Sequence, residues 1–140
     1  KKINVCTKTF QALRIFVNKE TSELIDGLIK ATDLIKKGGK IITISFHSIE
    51  DKIVKYYFTN HSASKSNPSR YMPSQNNMKN LFFEKYKNNF LTPSEEEVIK
   101  NPASRSAKLR YAIRTEQPFH YPKEFKEKFK RYLDIENVTI

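Results

Sequence analysis

The stretch Gly38-Gly39-Lys40-Ile41-Ile42-Thr43-Ile44-Ser45-Phe46-His47-Ser48 narrows the fold more than any other. Two glycines stop what precedes them, a β-branched run follows, and polar residues then start a new element. Residues 40–46 read as a strand that is apolar on both faces, as in a central strand covered by helices. Residues 48–60 read as a helix, with Ile49, Ile53 and Tyr57 at i, i+4 and i+8 and Val54 and Phe58 beside them. Upstream, residues 8–19 place Phe10, Leu13 and Val17 on one helical face and Gln11, Arg14 and Asn18 on another. Residues 21–36 give a second helix with Leu24, Leu28, Ala31 and Ile35 as its stripe and Thr21 or Ser22 as its cap. Helix, strand, helix with short joins is the rhythm of an α/β layer fold.

Downstream, residues 61–80 are rich in Ser, Asn, Pro and Lys and read as a mobile basic loop. Residues 81–86 read as a strand. Thr92 caps a short helix, with Pro93 first and Glu95 closing the box. Residues 107–114 alternate as a strand, with Leu109, Tyr111 and Ile113 on one face. The extension 117–140 reads as helical, docking Phe125, Phe129 and Leu133 on the domain.

The 140 residues fit one domain. A net charge of +11 attracts polyanions, nucleic acid or an anionic membrane, without identifying which. No apolar run approaches the roughly 20 residues that span a bilayer, so no membrane partner is expected. The single cysteine, Cys6, reads as an ordinary small side chain and fits a reducing compartment, so a cytoplasmic protein is expected. His47, His61 and His120 lie too far apart for a metal-ligand pattern, and no metal is expected. With three glycines, there is no Gly-x-Gly-x-x-Gly loop and no P-loop.

Three segments carry a resemblance: Thr9-Phe-Gln-Ala-Leu-Arg-Ile-x-Val-Asn18, Gly38-Gly-Lys-x-x-x-Ile-Ser-Phe-His-Ser-Ile-Glu-Asp-Lys52, and Pro93-Ser-Glu-Glu-Glu97 through Asn101-Pro-Ala-Ser-Arg-Ser-Ala-Lys-Leu-Arg110. In order and spacing they resemble the C-terminal part of the RsmH (MraW) family, bacterial methyltransferases of small-subunit rRNA. Lys8 and Lys52 stand where that family usually has Arg, which trades a planar bidentate donor for a point charge. The resemblance implies a partial Rossmann-like class I methyltransferase sheet: strands five to seven with flanking helices, over residues 1–116. It implies methylation of N4 of a cytidine in 16S rRNA, with S-adenosylmethionine bound mainly by upstream residues. On this reading the chain is the back end of a larger enzyme and is inactive alone.

Ligands of doubly wound sheets bind at the carboxyl ends of the strands, which puts residues 45–50 at the expected site. Cytosine N4 is a poor nucleophile because its lone pair is delocalised into the ring. Its site must orient the amino group and accept an N–H. Ser45, His47 and Glu50 have suitable chemistry. Phe46 either stacks on an extruded base or belongs to the core. Ser48 and Asp51 have the form of a capping box. Gln11, Arg14 and Asn18, with Arg105, Lys108 and Arg110, are either RNA contacts or solvated charge. Two rival readings remain: a non-catalytic basic RNA-binding module, and an interaction subunit that pairs with a separate front half.

Overall fold

The computed structural model describes residues 5–62, 81–88 and 90–137. Helix α1 spans Val5–Asn18 and α2 spans Glu20–Leu34. They are separated only by Lys19, whose left-handed backbone (φ 51°, ψ 38°) breaks the helical path. Strand β1 is Lys40–Ser45, α3 is Ser48–Asn60 and α4 is Glu95–Lys100. After a 3₁₀ turn over Pro102–Ser106 come β2 (Lys108–Ile113), α5 (Lys123–Lys128) and α6 (Lys130–Glu136).

The fold is α/β, and its sheet has two antiparallel strands among the described residues. The register sets Ile42 opposite Tyr111, Thr43 opposite Arg110, Ile44 opposite Leu109 and Ser45 opposite Lys108. Helix α3 packs on the face that carries Ile41, Arg110 and Ala112. The other face is open, with Ile42 59% and Ile44 57% exposed. This corrects the expectation of a strand covered on both sides. The alternation expected of β2 holds, and its inward face is the one with Arg110 and Ala112, while Tyr111 is exposed. Alternation shows which residues share a face, but the face with a helix on it is the one that becomes the interior.

The core is aromatic. Tyr57, Phe58, Phe82, Phe83, Phe125 and Phe129 are fully buried. Tyr57 lies 4.5 Å from Phe125 and 5.8 Å from Phe83, centroid to centroid, and burial pushes its hydroxyl up to about 12 although it donates to Thr32 Oγ1 at 2.9 Å. Residues 81–86 do not form the expected strand. Phe83 makes single bridges to Ser62 and Arg114, and the adjacent Phe82 and Phe83 are both buried, which a half-exposed strand does not permit. Phe82 stacks on His61, while Phe83 meets Phe58 edge-on. His61 and Ser62, the first residues of the expected mobile loop, are themselves buried, and residues 63–80 lie outside the described residues.

The extension returns to the body as two short helices rather than one. Phe125 and Phe129 enter the core, and Glu136 reaches the start of α2. Its carboxylate accepts from the Thr21 and Ser22 backbone N–H groups at 2.9 Å and from the Ser22 hydroxyl. This corrects the expected cap. Neither Thr21 nor Ser22 occupies the capping position; a carboxylate more than a hundred residues away satisfies the orphan amides. The cap of α4 also moves: Ser94, not Thr92, accepts from Glu97 N at 3.2 Å.

Candidate functional site at the carboxyl end of β1

Strand β1 delivers Phe46 and His47 to the turn that starts α3. His47 is the capping residue, in extended conformation (φ −140°, ψ 165°). Its Nδ1 accepts from Glu50 N at 3.4 Å. Glu50 Oε2 in turn accepts from Phe46 N at 2.8 Å and His47 N at 3.4 Å. The capping box is thus reciprocal but sits one residue earlier than the Ser48–Asp51 pair that the sequence suggested. Asp51 is released from the cap and does something else.

Asp51 pairs with β2. Its Oδ1 lies 2.7 Å from Arg110 Nε, and its Oδ2 lies 3.2 Å from both Arg110 Nη2 and Lys108 Nζ. Burial alone would raise this carboxyl. The hydrogen bonds and charges of Arg110 and Lys108 outweigh burial and hold it below its ordinary value of 3.8. Arg110, 3% exposed, also donates to Tyr86 Oη at 2.9 Å and lies over the Phe90 ring. Its guanidinium is engaged inside the fold, so it is not placed to grip a phosphate.

The other candidates fall into two groups. Arg14 Nε lies 2.8 Å from Glu20 Oε1, and Asn18 Nδ2 donates to the same oxygen at 3.3 Å. Glu20 Oε2 stands 3.9 Å from His47 Nε2, so α1 and the β1–α3 turn meet through a glutamate that sequence reasoning passed over. Burial would raise the Glu20 carboxyl, but hydrogen bonds from Arg14 and Asn18, aided by the Arg14 charge, hold it low. Gln11 is half-buried on α1, outside this cluster, and Arg105 is exposed on the 3₁₀ turn. Ser45 is 2% exposed, with its hydroxyl toward Lys108 O at 3.5 Å. Phe46 is 54% exposed, so it is not a core residue.

Glu20, His47 and Glu50 bring one ligating atom each within 4.8 Å of one another. The set does not fit a resident cation. Because Nδ1 accepts a hydrogen bond, the neutral ring carries its proton on Nε2, the atom a metal would need. Arg14 already holds Glu20, and the cluster lies at the positive ends of α2 and α3.

Gly39 is needed by the chain itself, since a Cβ there would stand 2.5 Å from Ile35 Cγ1, and no backbone or side chain lies within 4 Å of one added at Gly27. A concavity of 410 Å³, lined partly by Lys37, Gly38 and Arg114, opens at the other end of β1. No helix of the described residues is long and apolar enough to cross a membrane.

With this geometry in place, comparison with known proteins decides the family. A model of the MraW methylase family matches residues 1–115. The chain belongs to the MraW methylase family. Curated relatives of this MraW-family chain include the ribosomal RNA small subunit methyltransferases H of Bartonella bacilliformis, Parvibaculum lavamentivorans and Methylocella silvestris. The first is 46% identical over 115 residues, which is 82% of this chain and 34% of that protein. The second is 45% identical over 117 residues, covering 84% and 34%. The third is 42% identical over 120 residues, covering 86% and 35%. The MraW-family chain therefore spans about a third of the length of the relatives it matches. Its α5 and α6 lie beyond the matched residues.

Proposed function

We propose that this chain is the C-terminal portion of an S-adenosylmethionine-dependent enzyme that methylates N4 of a cytidine in 16S rRNA. The carrying observation is the family match over residues 1–115, which includes the whole capped turn at the end of β1. In this reading β1 and β2 are the fifth and seventh strands of the complete sheet, and residues 81–86 stand for the sixth. The methyl donor belongs to the part of the enzyme outside this chain.

The roles at the turn follow from what each group has uncommitted. Phe46 presents an exposed ring at the strand end, where it stacks on the extruded base. Glu50 spends Oε2 on the cap, so Oε1 is the acceptor for an N–H of the cytosine amino group. His47 holds Glu50 in place by accepting from its backbone N–H at Nδ1, and its Nε2 lies 3.3 Å from that oxygen. Buried Ser45 positions the turn without touching substrate. Exposed Arg105 meets an RNA phosphate, Lys108 adds positive charge beside it while its Nζ stays paired with Asp51, and Gln11, Arg14 and Asn18 extend the RNA contact along α1. Small-subunit rRNA is the partner.

The test joins this chain to the N-terminal part of a relative, such as that of Bartonella bacilliformis, and measures transfer of labelled methyl into unmodified 16S rRNA. Transfer is expected, and Phe46→Ala or Glu50→Gln should slow it by roughly a hundred-fold or more, the scale of a lost proton acceptor. A joined protein that binds the donor but leaves rRNA unmodified overturns the reading. The net charge of +11 favours one other reading, a non-catalytic RNA-binding module, which that same result would select if binding to RNA fell steeply with salt.

A further inference from the structure

The site at the end of β1 is assembled where three helices meet. His47 and Glu50 stand at the head of α3, Glu20 at the head of α2, and Arg14 and Asn18 toward the end of α1. A second set of contacts joins the same three helices, and it comes from the extension, beyond the family match over residues 1–115. Helix α6 touches both α1 and α2. Lys126 Nζ lies 2.7 Å from Asp26 Oδ1 on α2. Phe125 and Phe129 are buried and meet Tyr56 of α3 at 6.3 and 5.4 Å between ring centroids.

Glu136 makes the contact closest to the site. The head of α2 has no cap of its own, because Lys19 is left-handed and its side chain makes no capping bond. The Thr21 and Ser22 amides donate instead to the two oxygens of Glu136, at 2.9 Å each, and the Ser22 hydroxyl joins them. The residue before Thr21 is Glu20. It turns the other way, with Oε1 on Arg14 and Oε2 3.9 Å from His47 Nε2. A carboxylate in a first turn is drawn to the free amides of that turn, and Glu20 and Glu23 are both there. By filling those amides from outside the helix, Glu136 leaves Glu20 to face α1 and the β1–α3 turn. Packing alone accounts for Phe125 and Phe129. It does not account for a carboxylate 5% exposed, which is costly to bury unless the donors it meets need an acceptor.

We infer that Glu136 is a positioning residue for the site at the end of β1: it fixes the head of α2 and thereby holds the Glu20 carboxylate against Arg14 and His47. His47 in turn holds the backbone N–H of Glu50, so the setting passes to the group assigned to the cytosine amine. Its bearing on methyl transfer rests on the proposed function; the coupling to His47 does not.

The ring-nitrogen NMR signals of His47 in the full chain test the coupling, with Glu20→Gln as the reference for a lost Glu20 charge. Glu136→Ala and Glu136→Gln are read at a temperature where each is folded; the Gln side chain keeps one carbonyl oxygen for the amides. In Glu136→Ala the signals are expected to move in the direction seen in Glu20→Gln, and in Glu136→Gln by less. In the protein joined to the N-terminal part of the Bartonella bacilliformis relative, Glu136→Ala should lower kcat by roughly ten-fold or more with KM for the methyl donor unchanged, the scale of a misplaced group. Signals that stay at the parent position overturn the inference, even if the melting temperature falls. Moved signals with an unchanged kcat overturn the positioning role. Where Glu136→Ala does not fold, Glu136→Gln decides by the same signals. A joined parent that transfers no methyl overturns the proposed function, and the ring signals still decide the coupling.

Discussion

Arg110 carries a full charge into the interior, and Asp51 is the carboxylate that makes this tolerable. Removing one partner of such a pair strands the other, at a cost of about 3–5 kcal/mol. Asp51→Ala, which leaves the Arg110 charge buried, is therefore expected to lower the urea-unfolding free energy by about that amount; a variant as stable as the parent would mean that the pair contributes nothing to folding. The pH dependence follows from the direction of the Asp51 shift. Its carboxyl is held below 3.8 in the folded chain, so its contribution is complete above that value and is lost as pH falls through the lower, folded value. Asp51→Asn should flatten the acid limb of a stability-against-pH curve measured below about pH 4. The residue types at this pair were legible in the sequence, but the partnership was not. Asp51 stands three residues after a serine, which is the local form of a cap, and its true partner is 59 residues away. Nothing local distinguishes the two uses of that carboxylate.

At the scale of the element, the start of α3 and the start of α2 make separate predictions. His47→Ala removes the cap acceptor and should cost about 0.5–2 kcal/mol, while Ser48→Ala should be close to neutral. The reverse order, measured by thermal unfolding, would restore the cap to Ser48. Glu136→Ala leaves two backbone amides and a hydroxyl at the head of α2 without their acceptor. We expect a loss of about 1–3 kcal/mol and faster amide exchange at Thr21 and Ser22; exchange that does not change would show that solvent satisfies them equally well. The elements themselves were largely legible. The glycine pair, the β-branched run and the i, i+4, i+8 pattern placed β1 and α3 within a residue or two. Residues 81–86 were misread because consecutive phenylalanines look like a strand and serve here as two separate core anchors.

For the whole molecule, the sequence showed that an α/β layer was being built, and the ordered motifs pointed to the family. It did not show which side of the sheet stays bare. The stripe of Phe10, Leu13 and Val17 reads as a core face, yet all three are exposed on α1, as are Ile42 and Ile44 on β1. Apolar periodicity reports which residues share a face and not whether another element covers it. The proposed division of labour makes one direct claim: the substrate side of the enzyme lies in this chain and the donor side does not. Titration calorimetry of S-adenosylmethionine decides it, run on this chain alone and on the chain joined to the N-terminal part of a relative. We predict no binding heat from the isolated chain and a saturable isotherm from the joined protein. A saturable isotherm from the isolated chain would contradict the account, because it would require a donor site built from residues to which we assign none.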